Sequence, residues 1–270
     1  MIGLVLGETQ LGSLIINKLD KLKIKYTIID ISKKNIYKKK KNSYSVSIGQ
    51  LGKAIYILKK FKCKKIIFAG TVSRPNFANT KFDLKALYYL PRIIKSSKKG
   101  DSYIIKEVSK IFKKENLKII KQTYFNPELV IKKGNHTRLK PSVVNKKDII
   151  IGAKKIRELK IDNIGQAVVV LKGNIIAIED QNGTDSMLNK TYKILKKYSK
   201  KNIREGILIK FPKSNQDLKI DLPTIGINTI RKCHKIGLKG IALKANQSIF
   251  LDKSKSIALS NKYKMFICAI

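Results

Sequence analysis

Acidic side chains are scarce in this chain. Of 270 residues only 18 are Asp or Glu, against 59 Lys or Arg, for a formal net charge of +41. Each carboxylate therefore carries more information than usual. A cluster of them in so cationic a protein marks a place for a divalent metal or an acid/base group. Arginine is scarce too, being limited to Arg74, Arg92, Arg138, Arg157, Arg204 and Arg231. Base and phosphate readers lean on the bidentate fork of Arg. The charge here is almost all Lys, spread along the chain apart from the run Lys38 to Lys41, beside abundant Ile and Asn. It reads as solvated surface, and no nucleic-acid partner is expected. The excess still attracts anionic substrates and anionic lipid surfaces. Cys63, Cys233 and Cys268 make an odd count with no CxxC spacing, which argues against a disulfide framework or zinc site and fits a reducing cytoplasm. The apolar start Met1 to Leu6 is broken at Glu8, too early for a signal peptide. No run approaches the ~20 apolar residues that span a bilayer, so any membrane contact is expected to be peripheral.

What is present is an apolar content of 43%, enough for packed cores. Ile2 to Leu6 reads as a buried strand, Gln10 to Leu22 as a helix and Lys25 to Ile29 as a second strand. This βαβ start predicts a parallel, Rossmann-like sheet. Ser32 to Asn42 reads as a Lys-rich loop, Gly52 to Phe61 as a helix and Lys65 to Ala69 as a strand. Asp83 to Ile94 is helical but interrupted at Pro91, and Asp101 is expected to cap a helix reaching Glu115. A turn-rich stretch, Asn126 to Asn145, places a boundary between an N-terminal domain over 1–130 and a C-terminal α/β domain over 135–270. Beyond it a helix is expected over Lys146 to Leu159. Strands over Ala167 to Leu171 and Asn174 to Glu179 are joined by a Lys172-Gly173 hairpin turn, and a helix follows from Thr184 to Tyr198. Later elements are a strand at Gly206 to Lys210 and a helix from Pro223 to Ile236. Strands at Gly240 to Leu243, Ser248 to Leu251 and Lys264 to Ala269 alternate with a helix at Lys253 to Asn261.

Several stretches have the residue types for chemistry. Gly7 to Gly12 joins a strand to a helix, where backbone N–H groups meet phosphates. It lacks full GxGxxG spacing, and only Asp30 follows the second strand as a ribose-binding acid, so a plain βα turn or a nicotinamide site are both open. Gly70-Thr71-Val72-Ser73-Arg74-Pro75 offers hydroxyls and one Arg after a buried strand. Lys98-Lys99-Gly100-Asp101 joins cations to a helix start, where Asp101 alone would act as an N-cap. Glu179 to Asp185 puts three carboxylates around a turn before a helix. They suit Mg²⁺, which takes one or two carboxylates plus phosphate oxygens, or simply the positive end of the helix. Asp221 precedes Pro223 at a helix entry, an N-cap pattern or a metal-binding acid. His136 and His234 are isolated.

Assembled in order, these stretches resemble a known family. Ile48 to Lys53, Phe68 to Pro75, Lys99-Gly100-Asp101, Asp162 to Val170, Ala177-Ile178-Glu179, Gly183-Thr184-Asp185, Asp221 to Gly226 and Gly237 to Ala242 are similar to the UDP-2,3-diacylglucosamine pyrophosphatases of the LpxI type. The resemblance runs nearly end to end. The first βα turn departs from it, with Glu8, Thr9 and Gln10 where the family is richer in Gly.

The resemblance implies a cytoplasmic hydrolase of lipid A synthesis in Gram-negative bacteria, peripheral to the inner membrane. It cleaves the pyrophosphate of UDP-2,3-diacylglucosamine to UMP and 2,3-diacylglucosamine 1-phosphate (lipid X), with Mg²⁺ as cofactor. The implied fold is a Rossmann-like N-terminal domain and a distinct C-terminal α/β domain, with the lipid held between them; a homodimer is allowed. Asp221 matches the essential acid. Glu179 and Asp185 are the expected partners at the metal. Gln10, Thr71, Ser73, Arg74, Lys99, Gly100, Asp101, Gln166, Thr184, Lys210 and Thr224 are expected to bind substrate, with Arg74, Lys99 and Lys210 supplying positive charge. Leu84, Leu87, Tyr88 and Leu90 form a helical stripe that is either an acyl-chain groove or ordinary core. Two rival classes remain on the sequence alone: a basic nucleic-acid-binding module without catalysis, and a Rossmann-type NAD(P) oxidoreductase.

Overall fold

Buried strands in this chain read as continuous apolar runs, as expected where helices cover both faces of a sheet. The computed structural model describes residues 1–72, 79–159, 165–180, 182–198, 205–214 and 216–270. The chain divides into two compact units, Met1–Pro127 with Asp217–Asp221, and Glu128–Gln216 with Leu222–Ile270.

The first unit runs β1 (Ile2–Leu6), α1 (Gln10–Lys21), β2 (Tyr26–Asp30), β3 (Ser43–Ser45), α2 (Leu51–Lys60), β4 (Lys65–Ala69), α3 (Leu84–Ser97), α4 (Asp101–Lys114) and β5 (Lys118–Ile119). Its strands pair in the order β3-β2-β1-β4-β5, and every pairing is parallel. This is the Rossmann-like sheet expected from the βαβ start. Alternate residues of the strands face opposite sides: Val5, Ile29 and Ile66 join a core with Ala54, Ile55 and Leu58 of α2, Tyr89 of α3, and Ile111 and Phe112 of α4. The short β3 was not anticipated.

Two local expectations are corrected here. Pro91 does not interrupt α3, which runs unbroken from Leu84 to Ser97. A Pro removes the hydrogen bond to the carbonyl four residues earlier. Here that residue is Leu87, exposed as is Pro91, so the carbonyl lies on the solvent side of the helix. Asp101 does not cap α4. The cap position is Gly100, with φ 113, a conformation that glycine adopts without a Cβ penalty; Asp101 sits in the first turn, where its charge favours the positive end of the helix.

The second unit runs β6 (Gly134–Asn135), α5 (Val143–Glu158), β7 (Ala167–Leu171), β8 (Asn174–Ile178), α6 (Gly183–Tyr198), β9 (Ile207–Lys210), β10 (Thr224–Ile225), α7 (Ile227–Lys235), β11 (Gly240–Leu243), β12 (Ile249–Phe250), α8 (Lys253–Lys262) and β13 (Phe266–Ala269). Its main sheet has the order β6-β13-β11-β9-β7-β8. β13, β11 and β9 are parallel, while β7 is antiparallel to both β9 and β8. The expected hairpin turn is present, with Lys172 at φ 47 and Gly173 at φ 83, as a type I′ turn needs. One face of the sheet packs Val168, Val170, Ile207 and Ile209 against Ile149, Ala153 and Ile156 of α5. The other packs Val169, Leu208 and Ile241 with Met187 and Leu188 of α6 and Ile230 and Cys233 of α7.

Two helix boundaries also move. α5 begins at Val143, three residues before its expected start, because Ser142 and Asn145 form a reciprocal capping box. The helix expected from Pro223 begins only at Ile227. Thr224 and Ile225 pair instead with Ile249 and Phe250, and the carbonyls of Pro223 and Ile225 accept from the N–H groups of Ile249 and Leu251 at 2.8 and 2.9 Å. The apolar spacing of this segment is compatible with either state, and the neighbouring strand decides it.

Candidate functional site

In an open parallel sheet, ligands bind beyond the carboxyl ends of the strands where the winding reverses. In the first unit that point lies between β1 and β4. The chain holds the two loops there together through backbone. The Glu8 N–H donates to the Thr71 carbonyl at 2.8 Å, and the Thr71 hydroxyl donates to the Glu8 carbonyl at 2.8 Å. Glycine is required on both sides: a Cβ on Gly7 would sit 2.2 Å from the Thr71 oxygen, and one on Gly70 2.8 Å from the Gly7 carbonyl carbon. The sequence placed Gln10 and Thr71 among the ligand-contacting residues, and both lie exposed at this reversal. Ser73 and Arg74 lie outside the described residues. Lys99 is exposed beside Gly100 and Asp101, with its ammonium 5.9 Å from the Tyr103 ring.

The details of this turn speak against the dinucleotide alternative. Asp30, the one candidate for a ribose-binding acid, is fully buried and spent on its own loop. Its carboxylate accepts from the Ser32 N–H and hydroxyl at 3.0 and 2.6 Å and from the Tyr37 N–H at 2.9 Å. Tyr37 fills the space against α1, where a Cβ on Gly12 would meet its hydroxyl oxygen at 2.2 Å. Burial pushes the Tyr37 phenol up from its ordinary value.

The second unit assembles a buried polar cluster, and its topology explains how. β7 runs antiparallel to both its neighbours, so its first residues meet the ends of β8 and β9. Ala167 lies in register with Lys210, the last residue of β9, and its carbonyl accepts from the N–H of Glu179, just past β8, at 2.9 Å. Glu179 and Lys210 are only 5% and 8% exposed. A buried charge of either sign is costly unless paired and hydrogen-bonded. Here Thr184, in the first turn of α6, joins the two: its hydroxyl donates to one Glu179 carboxylate oxygen and accepts from the Lys210 ammonium at 2.9 Å. The other Glu179 oxygen accepts from the Gln166 N–H. Lys210 also donates to the Thr224 carbonyl at 3.3 Å, and the Gln166 side-chain oxygen accepts from Gln216 at 2.8 Å. Gly165 makes room for this arrangement, since a Cβ there would lie 2.0–2.3 Å from the Glu179 side chain.

Gln166, Glu179, Thr184, Lys210 and Thr224, scattered over 59 positions of sequence, thus meet in one cluster. The arrangement holds an ammonium ion in a fixed place, which is what stabilising a transferring phosphoryl group requires. Other acidic candidates have separate partners. Asp185 forms an ion pair with Lys232 on the exposed side of α6. Asp180 pairs with Lys190 at 2.6 Å, and that lysine, with the Asn182 N–H, holds its carboxyl below the usual range. Asp221 closes a turn, its N–H donating to the Asp217 carbonyl at 2.9 Å. Among the described residues no group of three or more His, Cys, Asp or Glu is disposed to hold a metal ion. Cys233 is fully buried, and burial pushes its thiol up to about 12, which makes it inert as a nucleophile. His136 contacts the Lys132 carbonyl at 2.9 Å, and His234 stacks on Tyr263, so each ring has a packing partner. Two residues given no role from the sequence are Gln216, which donates to Gln166, and Gly165, whose role depends on a side chain 14 positions away.

Comparison with known proteins agrees along the whole chain. The model of the LpxI N-terminal domain family matches residues 1–129, and that of the LpxI C-terminal domain family matches residues 132–268. A protein of Caulobacter vibrioides, UDP-2,3-diacylglucosamine pyrophosphatase LpxI, is 32% identical over 226 residues, covering 83% of this chain and 81% of its own.

Proposed function

The chain belongs to the LpxI family, and from that premise we propose that it hydrolyses the pyrophosphate of UDP-2,3-diacylglucosamine to UMP and 2,3-diacylglucosamine 1-phosphate (lipid X) in lipid A synthesis. Pyrophosphate hydrolysis needs positioning, cations on the non-bridging oxygens and an oriented water. Water attacks the phosphorus on the sugar side, a new P–O bond forms, and the bridging oxygen leaves with UMP. The observation that carries this reading is the buried Lys210. Thr184 and the Thr224 carbonyl leave its ammonium little freedom, so it meets a phosphate without reorganising. Gln166 and Thr184 line the same cluster and bind the substrate there. In the first unit Gln10, Thr71 and the Lys99-Gly100-Asp101 turn are assigned to substrate as well.

Magnesium is part of the proposal. When bound it neutralises charge on the phosphate oxygens. Asp221 is assigned to hold it, in the mode where one protein carboxylate is completed by phosphate and water oxygens. Glu179 and Asp185, the partner ligands expected from the sequence, are engaged with Thr184 and Lys232.

The enzyme is proposed to work at the cytoplasmic face of the inner membrane, bound peripherally. No helix among the described residues is long and apolar enough to cross a membrane, and the charge of +41 favours an anionic surface. The test is incubation with detergent-dispersed UDP-2,3-diacylglucosamine, with and without Mg²⁺, following UMP and lipid X. Both products are expected with Mg²⁺ and neither after chelation. D221A is expected to lower turnover by at least ~10³-fold, as loss of an essential catalytic group does, with the melting temperature nearly unchanged. Release of UMP by D221A at the normal rate would remove Asp221 from the mechanism.

A further inference from the structure

Helix α3 spends one face on the core and leaves the other uncovered. Ala86 and Tyr89 are buried, and Ile93 packs partly against the first unit's core. On the opposite side Leu84, Leu87, Tyr88 and Pro91 are all exposed, Leu84 to 87% and Tyr88 to 76%. The spacing of three and four residues puts them on one stripe. Of the residues expected to form a groove or ordinary core, Leu84, Leu87 and Tyr88 are exposed, which excludes core for them, while Leu90 is partly buried and lies off this stripe. Single exposed apolar side chains are ordinary, but a contiguous row is not. Val143, Val144 and Ile150 of α5 are exposed too, yet Lys146 and Lys147 break their row.

The stripe is set in positive charge. Residues 81–99 contain six cations and one acid. Lys85 and Arg92 are paired with Glu115 and Glu107, which leaves Lys81, Lys95, Lys98 and Lys99 to set the charge around the stripe. The acid, Asp83, is engaged as the cap of α3, accepting from the N–H groups of Ala86 and Lys53 at 2.8 and 3.0 Å. Lys81 lies exposed before the helix, Lys95 in its last turn, and Lys98 and Lys99 beyond it.

We infer that this face of α3 is the surface by which the enzyme docks on an anionic lipid bilayer, an inference that rests on the peripheral reading above. Leu84, Leu87 and Tyr88 enter the head-group boundary, where Leu burial and an amphipathic Tyr ring are both favourable. Lys81, Lys95 and Lys98 meet lipid phosphates, and it is their charge that selects a lipid surface over an uncharged apolar partner.

The experiment is co-sedimentation of the full chain with vesicles of phosphatidylcholine alone and of phosphatidylcholine mixed with phosphatidylglycerol. The wild type is expected to bind the anionic vesicles, less as salt rises. L84E/Y88E is expected to weaken binding at least ~10-fold through the lost apolar insertion, and K95E by ~3–5-fold. Melting temperatures stay at the wild-type value, since these side chains are exposed. Wild-type binding by L84E/Y88E overturns the inference. If that result comes with a raised KM for detergent-dispersed substrate, the stripe holds the substrate's acyl chains instead. If the wild type binds neither vesicle, the peripheral reading falls together with this one. Turnover of dispersed substrate by the same preparation tests the hydrolase reading separately.

Discussion

The two units place polar groups at strand ends by different means. In the first, the loops after β1 and β4 are fixed by backbone hydrogen bonds between Glu8 and Thr71, and the two glycines permit the approach. The carboxylates near them are spent on local structure, as Asp30 is on its loop. In the second, strand ends converge because β7 reverses direction between β8 and β9, and the groups that converge are a buried Glu179 and a buried Lys210 bridged by Thr184. A parallel sheet gathers loops at one end. A reversed strand inside a sheet brings two strand ends against one strand start, and so packs side chains more deeply. The first arrangement suits a contact surface for ligand, the second a preorganised charge.

The comparison is broken most severely at Lys210. K210M keeps the unbranched stem of the side chain and removes its charged end. It is expected to lower kcat by ~10²–10³-fold, the scale for losing one oriented donor at a phosphoryl centre, whereas T71V in the first unit removes an exposed hydroxyl assigned to substrate: it is expected to raise KM with kcat nearly unchanged and to cost about 1 kcal/mol of stability or less. Steady-state kinetics and thermal melts on both variants check the contrast. If K210M keeps full kcat, the buried cation is structural only.

Glycine substitutions come next in size. G7A drives a Cβ into a backbone carbonyl at 2.2 Å, and G165A drives one into the Glu179 side chain at 2.0–2.3 Å. Each is expected to cost ~1–3 kcal/mol, as overpacking does. They differ in activity: G165A displaces the carboxylate that orients Thr184 and Lys210, so its kcat falls at temperatures where the fold is intact. Denaturant melts with kinetics at low temperature separate the two effects. Equal loss of kcat per unit of lost stability in both variants would mean that Glu179 orients nothing.

The smallest effect is at Glu115 in the first unit. Its carboxylate pairs with Lys59 and Lys85, which hold its pKa below the ordinary value. A lowered folded-state pKa stabilises the protein above the unfolded-state value, and this contribution is lost as pH falls through the folded-state value. E115Q is therefore expected to cost about 1 kcal/mol at neutral pH, the upper range for exposed pairs, and to approach the wild type in acid. Melting temperatures across pH check the convergence; a constant gap would show that charge is not the cause.

Much of the architecture is legible in the residues. β1, α1, β2 and β4 follow from apolar runs ended by Gly or charge, and the Lys172-Gly173 turn identifies itself by composition. Elements decided by a partner are not legible: β10 forms because Ile249 and Phe250 are there to pair with it, and α3 passes through Pro91 because that face meets solvent. Gln166, Glu179, Thr184, Lys210 and Thr224 are each nameable from the sequence, four of them for binding and one as a metal ligand. That they share one hydrogen-bonded cluster is not.

The shortage of carboxylates, the six arginines and the order of motifs belong to the sequence, since counts and spacing do not depend on folding. Which carboxylate meets which cation was decided by tertiary structure alone. Glu179 is linked to Lys210 through the Thr184 hydroxyl while Asp185 meets Lys232, because one follows a strand end buried against β7 and the other opens onto the exposed side of α6. Burial and strand direction set those partners, and neither can be read from a residue's type.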